Sequence, residues 1–180
     1  MATPAYPAHL ISTWQSPQGE TVTLRPIRPE DAEIEQAFVR DLSPESRRFR
    51  FMDASRELTP KMLTHFTQID YEREMAIIAT VNRDQHEMEI GVCRYVVNPD
   101  EISCEFAIVI ADEWQRRGLG RGMMIKLIAV ARAGHLQAMT GYVLRSNHHM
   151  LNFCTGLGFV VADSIDDPAL KLVTLVLAAG

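Results

Sequence analysis

Cysteine is scarce in this chain, and its spacing argues against two kinds of site. Of the 180 residues only three are cysteines, Cys93, Cys104 and Cys154, and no two of them form a C-x-x-C pair. A disulfide framework or a structural zinc site needs more thiols at closer spacing. No two histidines are spaced as in H-x-x-x-H either, so we expect no metal cofactor. Isolated thiols are typical of a reduced, cytoplasmic protein.

Long apolar runs and an excess of basic charge are also missing. No apolar run approaches the length that spans a bilayer, and the first nine residues lack the basic segment and apolar core of a signal peptide. The chain has 18 Lys and Arg against 23 Asp and Glu, a formal net charge of −5. This balance argues against nucleic acid as the main partner and suits a cationic one. We therefore expect a cytoplasmic monomer or homodimer that contacts neither nucleic acid nor membrane.

The order of predicted elements indicates one α+β domain. The chain is 47% apolar and 23% charged, which suits a folded domain, and we assign residues 1–19 to an N-terminal extension and residues 20–180 to the domain. Alternating and apolar runs predict strands, and serine or threonine before proline predicts helix starts. A three-strand antiparallel meander is followed by a strand–helix–strand–helix crossover. The expected sheet is central, mixed, mostly antiparallel and flanked by helices. The predicted strands are Thr21–Ile27, Met75–Val81, Met88–Val97, Ile102–Ile110, Gly141–Leu144, Phe159–Ala162 and Leu170–Val176, with a further short one at His9–Trp14.

The segment from Trp114 to Gly122, WQRRGLGRG, is the most informative stretch. Its alternate glycines let the backbone approach a ligand closely, and a helix that starts there presents free N–H groups and a positive dipole end. Arg116, Arg117 and Arg121 add full positive charges. The segment therefore predicts a pyrophosphate site, although a plain glycine-rich connection with a basic face fits the same letters.

Two other phosphate loops do not fit this segment. The spacing Gly118-x-Gly120-x-Gly122 does not complete G-x-G-x-x-G, because position 123 is methionine. No Gly-Lys-Ser/Thr follows, so a Walker-type loop is excluded as well. What remains is Gln-x-x-Gly-x-Gly, which resembles the acyl-CoA pyrophosphate loop of the GNAT superfamily of N-acyltransferases.

Further stretches are similar to the acetyltransferase domain of Pat-type protein lysine acetyltransferases within that superfamily. They are TLRPIRPED at residues 23–31, LSPESR at 42–47, DYEREMA at 70–76 and EFAIV at 105–109. The resemblance runs from about Thr21 to the C-terminus and implies a complete GNAT fold. It implies acetyl-CoA as cosubstrate, bound by the loop residues Gln115, Arg116, Arg117, Gly118, Leu119, Gly120, Arg121 and Gly122.

Glu105 is the candidate general base. An attacking amine must lose a proton before it can attack a thioester, and a carboxylate in apolar surroundings can take it. Glu105 lies between Cys104 and Phe106 in an apolar strand, on a face shared with Ala107 and Val109; a strand-face glutamate pointing to solvent is the plain alternative. The resemblance places the family's base at this glutamate.

The resemblance also assigns backbone and cap positions. It implies that Ile108, Val109 and Ile110 pair through their main chain with the pantetheine arm, with a nearby bulge N–H polarising the thioester carbonyl. The same side chains are equally consistent with plain core. Asn147 is an expected acyl-CoA contact, an N-cap, or both. The family's usual acid, a tyrosine four residues before Gly158-Phe159, is replaced by Cys154, so proton donation to the leaving thiolate stays unassigned.

The sequence thus predicts an N-acetyltransferase that moves an acetyl group from acetyl-CoA to a primary amine by direct attack. The Pat-like stretches favour a protein lysine as acceptor. A small-molecule amine is the first alternative. A non-catalytic acyl-CoA-binding regulatory module is the second, and it leaves Glu105 without a chemical role.

Overall fold

Eight strands form a single mixed sheet in the order β1-β2-β3-β4-β5-β6-β8-β7. The structure is a computed structural model, and it describes residues 5–52 and 56–177. All neighbouring strands are antiparallel except β5 and β6, which are parallel. The strands are β1 (Ser12–Gln15), β2 (Thr21–Pro26), β3 (Glu74–Arg83), β4 (His86–Val97), β5 (Ser103–Ile110), β6 (Ala138–Leu144), β7 (Val160–Asp163) and β8 (Leu170–Val176).

Five α-helices pack on this sheet, and three of them begin at the caps that the sequence predicts. The Ser43 side chain accepts a hydrogen bond from the Ser46 N–H, and Thr59 does the same for Met62, each with proline at the next position. Asn147 caps the last helix through the Met150 N–H. These caps satisfy N–H groups that a helix start leaves free. The helices are α1 (Ala32–Asp41), α2 (Pro44–Phe51), α3 (Pro60–Thr67), α4 (Leu119–Ala133) and α5 (His148–Gly156).

The sheet separates two apolar cores. Helix α4 covers one face with Leu119, Met123, Leu127 and Ala131, which are fully buried. Their spacing of four residues produces a single helix face, as the sequence predicts. Helices α1 to α3 cover the other face around Ile27, Phe38 and Ile78. The α+β class and the mixed, mostly antiparallel sheet are confirmed.

Strands β5 and β6 separate partway along their length, and this separation creates the site. They pair only from Ser103 to Glu105 on β5, whereas β5 stays paired with β4 as far as Ile110. The β6-facing edge of β5 beyond Glu105 therefore has no strand partner. An unpaired strand edge offers N–H and C=O groups to an extended ligand.

Two element boundaries differ from the prediction. Strand β6 begins at Ala138 rather than near Gly141, and β1 covers Ser12–Gln15 and pairs with β2. Part of the predicted N-terminal extension thus joins the sheet edge, and the division at residue 19 stays a prediction. No helix within residues 5–52 and 56–177 is long and apolar enough to cross a membrane.

Candidate active site

A cavity of about 440 Å³ lies where β5 and β6 separate. Helix α2 forms one wall, and the starts of α4 and α5 form the opposite end. The three strand residues that the sequence proposes, Ile108, Val109 and Ile110, all line this cavity. So do six residues of the segment from Trp114 to Gly122, namely Trp114, Gln115, Arg116, Gly118, Gly120 and Arg121, together with Asn147.

The backbone of the glycine-rich segment turns sharply into α4. Arg116 has φ of 60° and Gly118 has φ of 90°, in the left-handed region that glycine adopts most easily. The Gly118 carbonyl accepts the first α-helical bond, from the Gly122 N–H at 3.1 Å. The N–H groups of Leu119, Gly120 and Arg121 precede that bond, so helix geometry gives them no intrahelical acceptor. They lie at the positive end of the 15-residue helix α4, an arrangement that suits an anion.

The arginines of this segment have different roles. Arg116 lines the cavity, and Arg121 lines it while donating to the Gly156 carbonyl of α5 at 3.1 Å. Arg117 lies outside the lining, 3.6 Å from the Glu20 carboxylate and over the Trp114 ring. Two of the three arginines thus bring positive charge to the cavity.

Leu119 and Gly122 hold the segment in place and are not part of the cavity lining. Leu119 is fully buried in the core. A Cβ atom on Gly122 would lie 3.2 Å from the Trp14 ring, so β1 packs closely against this turn. Their proposed contact with acyl-CoA stays a prediction.

Polar contacts tie α2 to the end of β5. Asp112 accepts hydrogen bonds from the Ser43 N–H at 2.9 Å, the Ser43 hydroxyl at 2.7 Å and the Ser46 hydroxyl at 2.8 Å. Partial burial raises the pKa of Asp112, but these bonds outweigh it and hold the pKa below its ordinary value. The Gln115 amide donates to the Ile110 carbonyl at 3.0 Å and to Ser46 at 3.2 Å. These contacts fix α2 as a wall of the cavity.

The bulge expected near Ile108, Val109 and Ile110 does not lie in the ladder between β4 and β5. The ladder between β4 and β5 is continuous from Cys104 to Ile110, and the register shift lies one strand away, at Ala79/Thr80. The edge of β5 that faces away from β4 has no strand partner beyond Glu105 among the described residues. The separation from β6 supplies that edge without an extra residue.

Glu105 is the last β5 residue that has a partner on β6, Thr140. Its side-chain face is shared with Ala107 and Val109, which both line the cavity, so this face does border the cleft. Glu105 itself is exposed, and its expected apolar surroundings are wrong. Glu105 is not among the residues that line the cavity, although the next residues, Phe106 and Ala107, are. It lies across Val96 from a second carboxylate at Glu74.

Asn147 and Cys154 can now be placed. The Asn147 side-chain oxygen caps α5 at 3.0 Å from the Met150 nitrogen, and the residue also lines the cavity, so a cap and a ligand contact are compatible. Cys154 is fully buried outside the lining, and burial raises the pKa of its thiol to about 12. A proton donor of that kind is poorly suited to a leaving thiolate.

Sequence reasoning missed the residues that α2 and β6 contribute to the cavity. Ser46, Phe49 and Arg50 of α2 and Tyr142 of β6 all line it. The glycine inside the predicted strand Gly141–Leu144 is the sequence signal that could have drawn attention to β6. A Cβ atom at Gly141 would lie 2.6 Å from the Phe106 ring. No group of three metal-ligating side chains occurs in the described part of the chain.

Comparison with known proteins agrees with this geometry. The model of the acetyltransferase (GNAT) domain family matches residues 21–160. The chain is 39% identical over 149 residues to acetyltransferase PA5475 of Pseudomonas aeruginosa, covering 83% of this chain and 80% of that protein.

Solved structures share the fold. The GNAT domain of Streptomyces lividans PAT superposes with a TM-score of 0.88 at 24% identity, covering 96% of this chain and 99% of that chain. Spermidine N-acetyltransferase from Vibrio cholerae, solved in complex with CoA and spermine, gives 0.68 at 17% identity, covering 87% and 95%. The family match, the curated relative and the cavity between β5 and β6 lead to one conclusion: this chain belongs to the GNAT family and is an acetyl-CoA-dependent N-acetyltransferase.

Proposed function

We propose that the enzyme transfers the acetyl group of acetyl-CoA directly to a primary amine, with Glu105 as general base and a protein lysine as the favoured acceptor. The observation that carries this proposal is the place of Glu105 on β5. It is the last residue of β5 that pairs with β6, and the two residues after it, Phe106 and Ala107, line the cavity.

The cavity residues fit the cosubstrate. The free N–H groups at the start of α4, with Arg116 and Arg121, suit a pyrophosphate, and the open edge of β5 suits the amide groups of a pantetheine arm. Acetyl-CoA supplies the activated acyl carbon. These contacts would leave the thioester end near Phe106 and Ala107, next to the proposed base.

The chemical step follows from these positions. Glu105 takes a proton from the ammonium group, directly or through one water. The freed nitrogen lone pair then forms the new C–N bond at the acyl carbon, and the C–S electron pair leaves with sulfur. The nitrogen loses its second proton as the amide forms, and that proton passes through water to the thiolate. The free edge of β5 offers backbone N–H groups to the oxygen that gains charge. No covalent acyl-enzyme forms.

A large acceptor is supported by the open sheet beside Glu105. The row Glu105, Thr140, Thr174 and Val160 crosses four strands on one face. Val160 and Val176 are 71% and 72% exposed on this side. A folded protein can therefore bring a lysine close to Glu105, and the fold likeness to the PAT domain is consistent with such an acceptor.

Replacement of Glu105 by glutamine tests the base. We expect Glu105→Gln to lower kcat by about two to four powers of ten, as loss of a general base does, while CoA affinity stays unchanged. Turnover is followed with acetyl-CoA and lysine peptides, cell extract and polyamines from pH 6 to 9. The matched control is Glu74→Gln, on the same row two strands away, which should retain most activity. Wild-type rates in Glu105→Gln would assign the base elsewhere.

A further inference from the structure

Arg50, in the last turn of α2, differs from the other inward-facing arginines of the described chain. Arg25 binds Asp31 and Glu87, Arg47 donates to the Leu42 carbonyl, and Arg94 lies 3.9 Å from Glu35. Arg50 has no ion pair or hydrogen bond within residues 5–52 and 56–177. Its guanidinium rests on aromatic rings, 4.9 Å from the centroid of Phe51 and 6.0 Å from that of Phe66.

Arg50 contributes to the lining of the cavity. Arg50 is half-buried and lines the space between α2 and β5. Burial, followed by repulsion from Arg94, lowers the pKa of Arg50 to about 10, with attraction from Glu35 opposing the shift, so Arg50 remains a cation at neutral pH. Glu35 attracts this cation but forms no ion pair with it within residues 5–52 and 56–177, so its charge is only partly compensated. A charge withdrawn from water with incomplete compensation is costly. A ligand anion in the cavity would offset that cost.

Arg50 lies toward the reacting end of the cavity and away from the pyrophosphate loop. Ser46, which contacts Gln115, is one helical turn from Arg50, about 6 Å along α2. Arg50 and Arg94 contact the same Phe66 ring, and Arg94 pairs across the sheet with Ala107. Ala107 is two residues from Glu105 on one face, about 7 Å along the strand.

We infer that Arg50 binds a carboxylate that the acceptor carries close to its reacting amine. The inference rests on the proposed transfer at Glu105. The acetyl group is uncharged, so the anion at this end must come from the acceptor. A guanidinium can hold a carboxylate through two parallel N–H bonds. The carboxylate can belong to a small amino acid, or to an acidic side chain or C-terminus beside a peptide lysine.

Matched acids and amides test this inference and separate the two sources. Free amino acids are compared with their amides, and Lys-Glu peptides with Lys-Gln peptides, at saturating acetyl-CoA. We expect the wild type to prefer the acid at least tenfold in kcat/KM in one of these pairs. Arg50→Ala should abolish the preference, and Arg50→Lys should restore part of it. Arg48→Ala, on the exposed side of the same helix, should keep the preference.

Measuring acceptor binding separately from turnover distinguishes carboxylate binding by Arg50 from the proposed acetyl transfer at Glu105. Calorimetric titration of CoA-saturated protein with each acid and amide reports affinity alone, and the thermal midpoint with CoA verifies that Arg50→Ala is folded. Equal affinities for acid and amide, or a preference that survives in Arg50→Ala, would overturn the carboxylate inference. Tight acid binding without acetylation of any amine would instead defeat the proposed transfer.

Discussion

At the scale of single residues, the buried pair Arg25–Asp31 anchors the entry to α1. Two Arg25 nitrogens lie 2.7 Å from the Asp31 oxygens, and Asp31 also accepts from the Arg28 N–H at 2.9 Å. Burial alone would lower the pKa of Arg25, but the bonds from Asp31 and Glu87 raise it. Both partners are at least 95% buried, so neither charge can turn to water when the other is removed.

We expect Asp31→Ala to lower the free energy of unfolding by about 3–5 kcal/mol, because it leaves the buried Arg25 charge without its main partner. Urea denaturation at pH 7 measures the change. Arg73→Ala is the matched control. It breaks an ion pair whose members are 58% and 70% exposed, and it should cost about 0–1 kcal/mol. A loss below 1 kcal/mol in Asp31→Ala would show that Glu87 alone can hold Arg25.

Residue identities predicted the local parts of the site and missed the non-local ones. Ser43, Thr59 and Asn147 each cap a helix by accepting a hydrogen bond from the N–H three residues later. Such short-range contacts can be predicted from residue type and spacing. The exposure of Glu105 depends on the point at which β6 stops pairing with β5. The residues next to Glu105 in sequence do not predict that point. Arg50 reaches the cavity because α2 is tied to Asp112, more than 60 residues away. Long-range packing therefore decides what sequence periodicity cannot.

At the scale of elements, the CoA site proposed at the start of α4 can be tested at Gly120. A Cβ there would lie 3.6 to 3.8 Å from Ile110, Phe153 and Ile108, which is ordinary contact. The backbone of Gly120 does not need a positive φ. The free fold thus tolerates a side chain at this position, although that side chain would occupy the cavity.

Gly120→Val should therefore weaken CoA binding by at least about tenfold, or 1.4 kcal/mol, with a smaller effect on the fold. In the wild type, CoA at 100 times its Kd should stabilise the protein by about 2.7 kcal/mol. Thermal midpoints with CoA, ATP and NAD measure both effects. Gly156→Ala is the control, since a Cβ there meets nothing within 4 Å. An unchanged CoA response in Gly120→Val would place the ligand elsewhere.

The attachment of α2 to β5 makes a second prediction, on pH. The pKa of Asp112 in the fold is below its ordinary value of 3.8, so the folded state favours the ionised form. The stability from its bonds to Ser43 and Ser46 is complete above about pH 4. It is lost as the pH falls through the lower folded pKa.

We expect Asp112→Asn to be less stable than wild type at pH 7 and the difference to close at low pH. Urea denaturation at pH 7, 5 and 3 follows this convergence. Asp41→Asn replaces an exposed carboxylate and should show no such trend. If the free energies of unfolding of wild type and Asp112→Asn still differed as much at pH 3 as at pH 7, packing of the side chain and not its charge would hold α2 in place.

At the scale of the whole molecule, sequence order was sufficient for the fold class because neighbours in sequence are mostly neighbours in the sheet. Strands β1 to β5 follow one another in space, as short connections require. Strand β8 lies between β6 and β7 in the sheet, and no short connection predicts that order. Turn residues do predict the hairpin of β3 and β4, where Asp84 and Gln85 both have positive φ.

The charge of the whole chain bears on the acceptor. A net charge of −5 and the carboxylates Glu74 and Glu105 would favour the approach of the proposed cationic lysine, while Arg50 would bind an anion carried by the same acceptor. Such steering weakens as salt screens it, with a Debye length of about 10 Å at 0.1 M and 3 Å at 1 M. The apparent KM for a protein acceptor should therefore rise several-fold between 0.05 and 0.5 M salt, with little change in kcat.

A small monoamine is the control for this salt effect, because it carries less charge into the same field and should show a weaker trend. Acetyl-CoA is kept saturating at each ionic strength, since its own phosphates also respond to salt. Mass spectrometry of cell extract incubated with enzyme and labelled acetyl-CoA identifies the acceptor directly. Label on lysine side chains of proteins is the expected result. Label confined to a small metabolite, together with a KM that does not change with salt, would rule out the protein-lysine acceptor and leave the chemistry at Glu105 intact.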